Sequence, residues 1–181
     1  MDNANSVGMP LDPNIKLELA EESKSAENGA YASLIGSLMY AAIATRPDIA
    51  YMVSQLASFT ANPNLGHWTA AKRVLRYLAG TWDLGIVYSA NDNPERPTKN
   101  FYSYSDTDFA NNLDCLSISG YAFLLSNGAI MWSSKKQNAV TLSTAEAEYT
   151  AMAHMTKEAI WLRNLFTELG FHQTELIIIF G

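Results

Sequence analysis

Two short acidic stretches carry the side chains best suited to chemistry. Asp106 and Asp108 lie two residues apart in FYSYSDTDFA, and Glu146 and Glu148 lie two residues apart in STAEAEY. The second stretch opens a long, mostly apolar segment, as expected of a helix start. Ser143 and Glu146 fit a capping box, in which the two side chains satisfy backbone N–H groups at the beginning of the helix. The capping box gives Glu146 a structural role and leaves Glu148 to be explained.

A helical projection separates the two glutamates. At about 100° per residue, Glu148 falls on an apolar face and Glu146 falls on the opposite one. The apolar residues on the Glu148 face are Met152, Met155, Ala159, Leu162 and Phe166. Because burying an unpaired carboxylate is costly, Glu148 is predicted to have a cation or metal as its partner. The alternative is that Glu148 lies at the edge of the core and stays in water.

The two aspartates fit the same chemistry. The period-two pattern of FYSYSDTDFA predicts a strand, in which Asp106 and Asp108 share one face. Either the strand simply ends there, or one aspartate meets Glu148 across a strand–helix interface. Carboxylates brought together need a divalent ion, and all-oxygen ligation suits Mg²⁺ or Mn²⁺. Hydrolysis of a phosphodiester by two such ions is a known use of this kind of site.

Helical periodicity describes the first half of the chain. Apolar spacing predicts helices at about 29–46, 48–59 and 66–79. Pro47 ends the first of them, because proline disfavours the helical conformation in the residue before it. The polar residues 1–28 indicate a tail or linker. This half is therefore predicted to be a small helical segment over residues 29–90.

Strand patterns dominate the second half. The turn-rich stretch 91–100 predicts a domain boundary. Strands are predicted at 101–110, on both sides of Asn127–Gly128 as a hairpin, and at 175–181, with the long helix before the last of them. The order strand, strand, strand, helix, strand predicts an α/β fold with a mixed sheet over residues 101–181.

Three basic residues lie on the polar side of the third predicted helix. Lys72, Arg73 and Arg76 are candidates for contacts to a nucleic-acid backbone, with an ordinary solvated face as the alternative. The chain as a whole has a net charge of −6, which excludes a globally basic footprint for nucleic acid. Any such contact must therefore use a local basic face.

Two further features of the composition restrict the class of protein. Cys115 is the single cysteine, which argues for a reducing compartment and against a disulfide framework. The apolar run LIGSLMYAAIA is too short to cross a bilayer. The chain is therefore expected to have no membrane partner.

Four motifs together resemble a known family. The stretches SDTDFA, SISGY, WSSKKQ and STAEAEY are similar to the ribonuclease H domain of copia-type retrotransposon Pol polyproteins. Upstream, YASLIGSLMYAAIATRPDIAYMVSQLASF and HWTAAKRVLRYLAGT resemble the segment that follows the reverse-transcriptase palm of the same polyproteins. The resemblance implies a ribonuclease H-like fold preceded by a small helical connection.

The resemblance also implies roles for particular residues. Asp106 and Glu148 correspond to catalytic carboxylates that hold two Mg²⁺ or Mn²⁺ ions, while Asp108 is expected to lie nearby without binding metal. The expected reaction is hydrolysis of the RNA strand of an RNA–DNA hybrid. Lys135 and Lys136 are candidates for phosphate contacts, with a solvated lysine pair as the alternative.

Partners and location follow from the same resemblance. The expected partners are an RNA–DNA hybrid and the rest of the Pol polyprotein, including the reverse-transcriptase palm and the integrase. The expected location is intracellular, in a cytoplasmic particle or the nucleus.

Further ligands of the family's metal centre are expected beyond the stretch IIIFG. The chain therefore resembles a truncated ribonuclease H-like fold, and we expect no turnover from it alone. Two competing hypotheses are a non-enzymatic module that binds nucleic acid or a partner through the basic helix 67–79, and a chain that does not fold.

Overall fold

The chain forms two compact units, Met1–Gly85 and Ile86–Gly181. The predicted α/β class is confirmed, since the helices are accompanied by a four-stranded mixed sheet. Cys115 and the predicted boundary at 91–100 lie outside the described residues. The computed structural model describes residues 5–12, 17, 28–89, 101–109, 116–172 and 177–180.

Helices make up the first unit. Its α-helices are α1 (Asn28–Ala44), α2 (Ala50–Ala57) and α3 (Leu65–Gly80). A short 3₁₀-helix, Pro47–Ile49, separates α1 from α2. Proline suits this place, because the first residues of a helix have no intrahelical partner for their N–H groups.

The core of the first unit is apolar and includes one buried hydroxyl. Tyr31 of α1 is fully buried, and its hydroxyl donates to the Leu56 carbonyl at 3.0 Å. The Tyr31 ring also meets Trp68 of α3 edge to face, with centroids 5.5 Å apart. Burial raises the pKa of Tyr31 to about 12. The three helices are thus joined through this one side chain.

A charged network ties the start of α2 to the end of α3. Arg46 donates to both carboxylate oxygens of Asp48, at 3.0 and 2.8 Å, and to the Thr81 carbonyl at 2.9 Å. Tyr77 donates to Asp48 at 2.8 Å. Burial alone would raise the pKa of Asp48, but the hydrogen bonds from Arg46 and Tyr77 outweigh it, and the pKa is lowered.

The second unit is a mixed sheet with one helix. Its strands run in the order β3-β2-β1-β4; β1–β2 and β2–β3 pair antiparallel, and β1–β4 pair parallel. The predicted sequence of strand, strand, strand, helix, strand is confirmed. The elements are β1 (Tyr102–Asp108), β2 (Ile118–Leu125), β3 (Gly128–Lys136), α4 (Thr144–Glu168) and β4 (Ile178–Phe180).

The hairpin turn lies one residue earlier than predicted. Ser126 and Asn127 both have positive φ, 51° and 64°, and Gly128 already begins β3. Two left-handed central residues are typical of the type I′ turn, whose twist matches that of the paired strands. The hairpin prediction is confirmed, but its central pair is wrong by one position.

Residues just before the sheet hold this turn. Tyr88 donates to the Ala129 carbonyl at 2.8 Å, and the Ser89 N–H donates to the Ser126 carbonyl at 2.8 Å. A Cβ atom on Gly128 would lie 2.5 Å from the Tyr88 ring. A side chain at position 128 would therefore displace the Tyr88 ring, and glycine leaves room for it.

One face of the sheet packs on α4. Phe101 stacks on Phe166 of α4, with ring centroids 5.5 Å apart, and meets Phe123 of β2 edge to face. Met155 and Leu162 complete the buried cluster from the helix side. The residues at odd positions of β1 and β2 therefore face α4, and those at even positions face away from it.

Candidate functional site

The end of β1 adjoins the start of α4. Thr107 Oγ1 donates to the Ala147 carbonyl at 3.5 Å, and Gln137 Nε2 donates to the same carbonyl oxygen at 3.0 Å. Thr107 follows Asp106, and Ala147 precedes Glu148. The sequence neighbours of the two predicted metal ligands are thus in contact.

Asp106 lies beside this junction and not within it. It pairs with Gly120 across β2, and its Oδ1 accepts from the Thr107 N–H at 2.8 Å. Because Thr107 faces α4, the alternation of the strand directs Asp106 to the other side of the sheet, where it is exposed. The strand–helix interface is therefore filled by Thr107, and Asp106 stands in water at its margin.

The predicted burial of Glu148 is wrong. The buried stripe of α4 is Ala147, Ala151, Met155, Ala159 and Leu162, whereas Glu148 is exposed. The helical projection fixed the angles between residues correctly but gave large side chains more weight than small ones. The alanines at 147 and 151 let the helix start approach the sheet closely. Glu148 therefore stays in water at the edge of the core, the alternative raised by the sequence.

The predicted cap of α4 forms, with one difference in its bonds. Ser143 Oγ accepts from the Glu146 N–H at 3.1 Å, as a capping serine does. The Glu146 carboxylate accepts from the Leu142 N–H at 2.7 Å and not from the N–H of Ser143. The structural role predicted for Glu146 is confirmed.

Asp108 and the two lysines lie along the same end of the sheet. Asp108 is half-buried at the end of β1 and pairs with Ile118, which pairs in turn with Lys136 of β3. Lys136 is thus two strands from Asp108, about 10 Å at the usual strand spacing. Lys135 is exposed and, by the alternation of β3, lies on the opposite face from Lys136. The two lysines do not form one patch.

The basic side of α3 is partly occupied by the chain itself. Arg73 forms an ion pair with Asp12 at 3.1 Å and donates to the Met9 carbonyl at 3.3 Å. Arg76 donates to the Asn5 carbonyl at 2.6 Å. Lys72 is exposed, and its ammonium lies 5.6 Å from the centroid of the Trp68 ring.

Residues 5–12 therefore pack on α3, although the sequence predicted a tail or linker for this region. A Cβ atom on Gly80 would lie 2.6 Å from the Ser6 Cβ, so the segment also makes a close backbone approach. The arginines predicted to meet phosphate already have partners within the first unit.

Gln137 is a residue of this junction that sequence reasoning did not single out. It is 5% exposed, and it links the Ala147 carbonyl to Ser119 Oγ, to which it donates at 2.8 Å. A long polar side chain directly after the two lysines of WSSKKQ was the available signal.

No helix in the described part of the chain combines the length and apolarity needed to span a membrane. Among the described residues, no group of three or more His, Cys, Asp or Glu side chains could hold a metal ion. Asp106 and Glu148 are both exposed beside the junction, next in sequence to the residues that form it.

Comparisons with known proteins define the class. The chain is 41% identical over 98% of its length to the retrovirus-related Pol polyprotein from transposon TNT 1-94 of Nicotiana tabacum. It is 39% identical over 99% of its length to the Pol polyprotein from transposon RE2 of Arabidopsis thaliana. The chain belongs to the family of retrovirus-related Pol polyproteins from copia-type transposons. It spans only 14% and 12% of the length of these two relatives.

A shorter relative is covered almost completely. The chain is 42% identical over 75% of its length to the secreted RxLR effector protein 161 of Plasmopara viticola, and it covers 93% of that protein. No family model and no solved structure matches the chain.

Proposed function

We propose that this chain supplies part of the ribonuclease H centre of a copia-type Pol polyprotein, with Asp106 and Glu148 as two of its metal ligands. The single observation that carries the proposal is the junction at the Ala147 carbonyl, which brings the end of β1 to the start of α4. Membership of the Pol family supports it.

The two carboxylates fit Mg²⁺ or Mn²⁺ by their chemistry. Both are exposed, and carboxylate oxygens are the ligands that these hard ions prefer. The Thr107 N–H orients one oxygen of Asp106. Among the described residues, the Glu148 carboxylate forms no hydrogen bond or ion pair. A bound pair of ions would activate the attacking water and stabilise the leaving 3′ oxygen.

The proposed substrate is the RNA strand of an RNA–DNA hybrid, recognised through its 2′-hydroxyl groups. The proposed setting is intracellular, alongside the other activities of the polyprotein. Since the described residues offer two carboxylates for the ions, we expect weak metal binding by this chain and no cleavage of a hybrid. Mg²⁺-dependent turnover that Asp106→Asn abolishes would contradict the expected lack of cleavage and would assign the centre directly.

Titration with Mn²⁺ tests the proposal on the chain itself. Paramagnetic Mn²⁺ should broaden the NMR amide signals of Gly120, which lies opposite Asp106, and of Glu148 before others. Asp106→Asn and Glu148→Gln should each abolish this selective broadening. Glu168→Gln, at the far end of the same helix, is the matched control and should leave it unchanged. Broadening that survives in both test variants would remove these residues from the centre.

The competing function is nucleic-acid binding by α3 without chemistry. The contacts of Arg73 and Arg76 with residues 5–12 count against it, because those cations are already engaged. We therefore favour the nuclease centre.

A further inference from the structure

Gln137 joins three elements of the second unit at one point. It is the first residue after β3, and its backbone N–H donates to the Ser117 carbonyl at 2.8 Å, next to the start of β2. Its side-chain Nε2 donates to Ser119 Oγ of β2 at 2.8 Å and to the Ala147 carbonyl of α4 at 3.0 Å. The side chain is thus fixed by β2 and in turn fixes the first turn of α4.

Gln137 acts on Glu148 through the backbone carbonyl of Ala147. Within the helix this carbonyl accepts from the N–H four residues later. From outside the helix, Gln137 donates to it at 3.0 Å and Thr107 at 3.5 Å. The large apolar contacts of α4, at Met155 and Leu162, lie two turns or more beyond the helix start. The hydrogen bonds to the Ala147 carbonyl therefore fix the distance from the sheet and the rotation of the helical turn that carries Glu148.

The hydrogen bonds of the Gln137 side chain indicate that position 137 requires a hydrogen-bond donor. Gln137 Oε1 is buried and has no hydrogen-bond partner among the described residues. A buried acceptor without a partner destabilises the fold, and an apolar side chain of similar size would avoid that cost. An amide here is explained by the two bonds that its N–H groups make.

We propose that Gln137 is a positioning residue for the metal centre: by tying the Ala147 carbonyl to β2, it holds Glu148 where it can share metal with Asp106. The inference rests on the proposed function. Gln137 binds neither metal nor substrate, and it acts only through the backbone of α4.

The test replaces Gln137 with methionine, which has similar volume and no donor, and repeats the Mn²⁺ titration. The Mn²⁺ concentration needed to broaden Gly120 should rise about tenfold, as is typical when a group that supports a metal ligand is lost. Gln55→Met is the matched control. Gln55 is 8% exposed, in α2 of the first unit, and donates to Tyr51 at 3.4 Å. It should leave the titration unchanged.

A second readout needs no metal. In the metal-free chain, Gln137→Met should speed hydrogen exchange of the Ala151 amide, which bonds to the Ala147 carbonyl in the helix. Should the methionine variant not fold, Thr107→Val removes the other tie to the same carbonyl at a partly exposed position. It should weaken the Mn²⁺ effect in the same direction, by less.

The outcomes separate the two proposals. If Gln137→Met or Thr107→Val folds and keeps the full Mn²⁺ effect while Asp106→Asn abolishes it, the positioning role is wrong and the metal centre stands. If Asp106→Asn and Glu148→Gln also leave the effect intact, or the unaltered chain shows none, both proposals are wrong.

Discussion

The two units use their charged side chains in opposite ways. In the first unit, Arg46 and Asp48 bind each other, and Arg73 binds Asp12. In the second unit, the carboxylates of Asp106 and Glu148 are exposed, and within the described residues neither forms an ion pair. A charge in an ion pair is already engaged and does not bind a ligand, whereas an exposed charge can still bind one. The charges of the first set therefore contribute to stability, and those of the second set are available for the proposed metal binding.

The largest expected effect is at Arg46, which is 8% exposed. Arg46→Met removes the two bonds from arginine to the Asp48 carboxylate, which keeps Tyr77 as a donor, and it removes the arginine bond to the Thr81 carbonyl. Because the Asp48 side chain is 33% exposed, breaking this partly buried pair from one side should lower the free energy of unfolding of the first unit by about 2 kcal/mol. Urea unfolding, with hydrogen exchange to assign the loss to that unit, measures the change.

The matched variants for Arg46 test the comparison directly. Lys72→Met removes an exposed base from the same unit, and Asp106→Asn removes an exposed acid from the other. Each should change the free energy of unfolding by less than about 0.5 kcal/mol. A loss at Asp106 as large as that at Arg46 would mean that the second unit also uses its charges for stability.

The next effect concerns Tyr31 at alkaline pH. Its pKa is raised from 10.0 to about 12 by burial. Because the pKa of Tyr31 is higher in the folded state, this residue contributes to the free energy of unfolding. The contribution is complete below pH 10 and is lost as the pH rises through about 12. The first unit should therefore lose stability over this range. Thermal melts of the unaltered chain and of Tyr31→Phe should show the loss in the former and a flatter profile in the latter.

The control for Tyr31 is Tyr40→Phe, because Tyr40 is 78% exposed in the same helix. That variant should keep the alkaline loss of the unaltered chain. At neutral pH, Tyr31→Phe should cost about 1 kcal/mol for its hydrogen bond to Leu56. An unchanged alkaline profile in Tyr31→Phe would assign the loss to other groups.

The smallest effect is at Arg73, whose ion pair with Asp12 is partly exposed. Arg73→Ala should lower the free energy of unfolding by about 0.5 kcal/mol and speed hydrogen exchange in residues 5–12. Because the cation is already paired, the affinity of the chain for an RNA–DNA hybrid should not fall. A hybrid affinity that drops in this variant and weakens steeply with salt would instead favour α3 as a nucleic-acid surface.

Local patterns predicted the elements of the fold well. Period-two alternation identified β1, and the serine that begins STAEAEY identified the cap of α4. Both signals depend on neighbours within a few residues. The strand predicted at 175–181 contains β4, which pairs parallel with β1 in the predicted mixed sheet. Sequence alone was sufficient for these features because backbone geometry imposes the period.

Contacts between distant residues were not predictable in the same way. Arg73 and Asp12 are 61 residues apart in the sequence, and no periodicity predicts that they pair. The burial of Glu148 was predicted wrongly because two adjacent stripes of α4 are both apolar enough to face the sheet. Which stripe is buried depends on how closely its alanines let the helix approach the sheet. Gln137 was missed because a buried amide is recognised only by the acceptors around it.

The contacts of Tyr88 and Ser89 with the hairpin turn determine where a fragment of the chain can begin. A fragment beginning at residue 101, where the strand pattern starts, would lack the three hydrogen bonds of Tyr88 and Ser89 to the turn and would uncover Gly128. The tip of the β2–β3 ribbon would then meet solvent with its register held by the strands alone. Recombinant versions of the sheet unit should therefore start no later than Ile86.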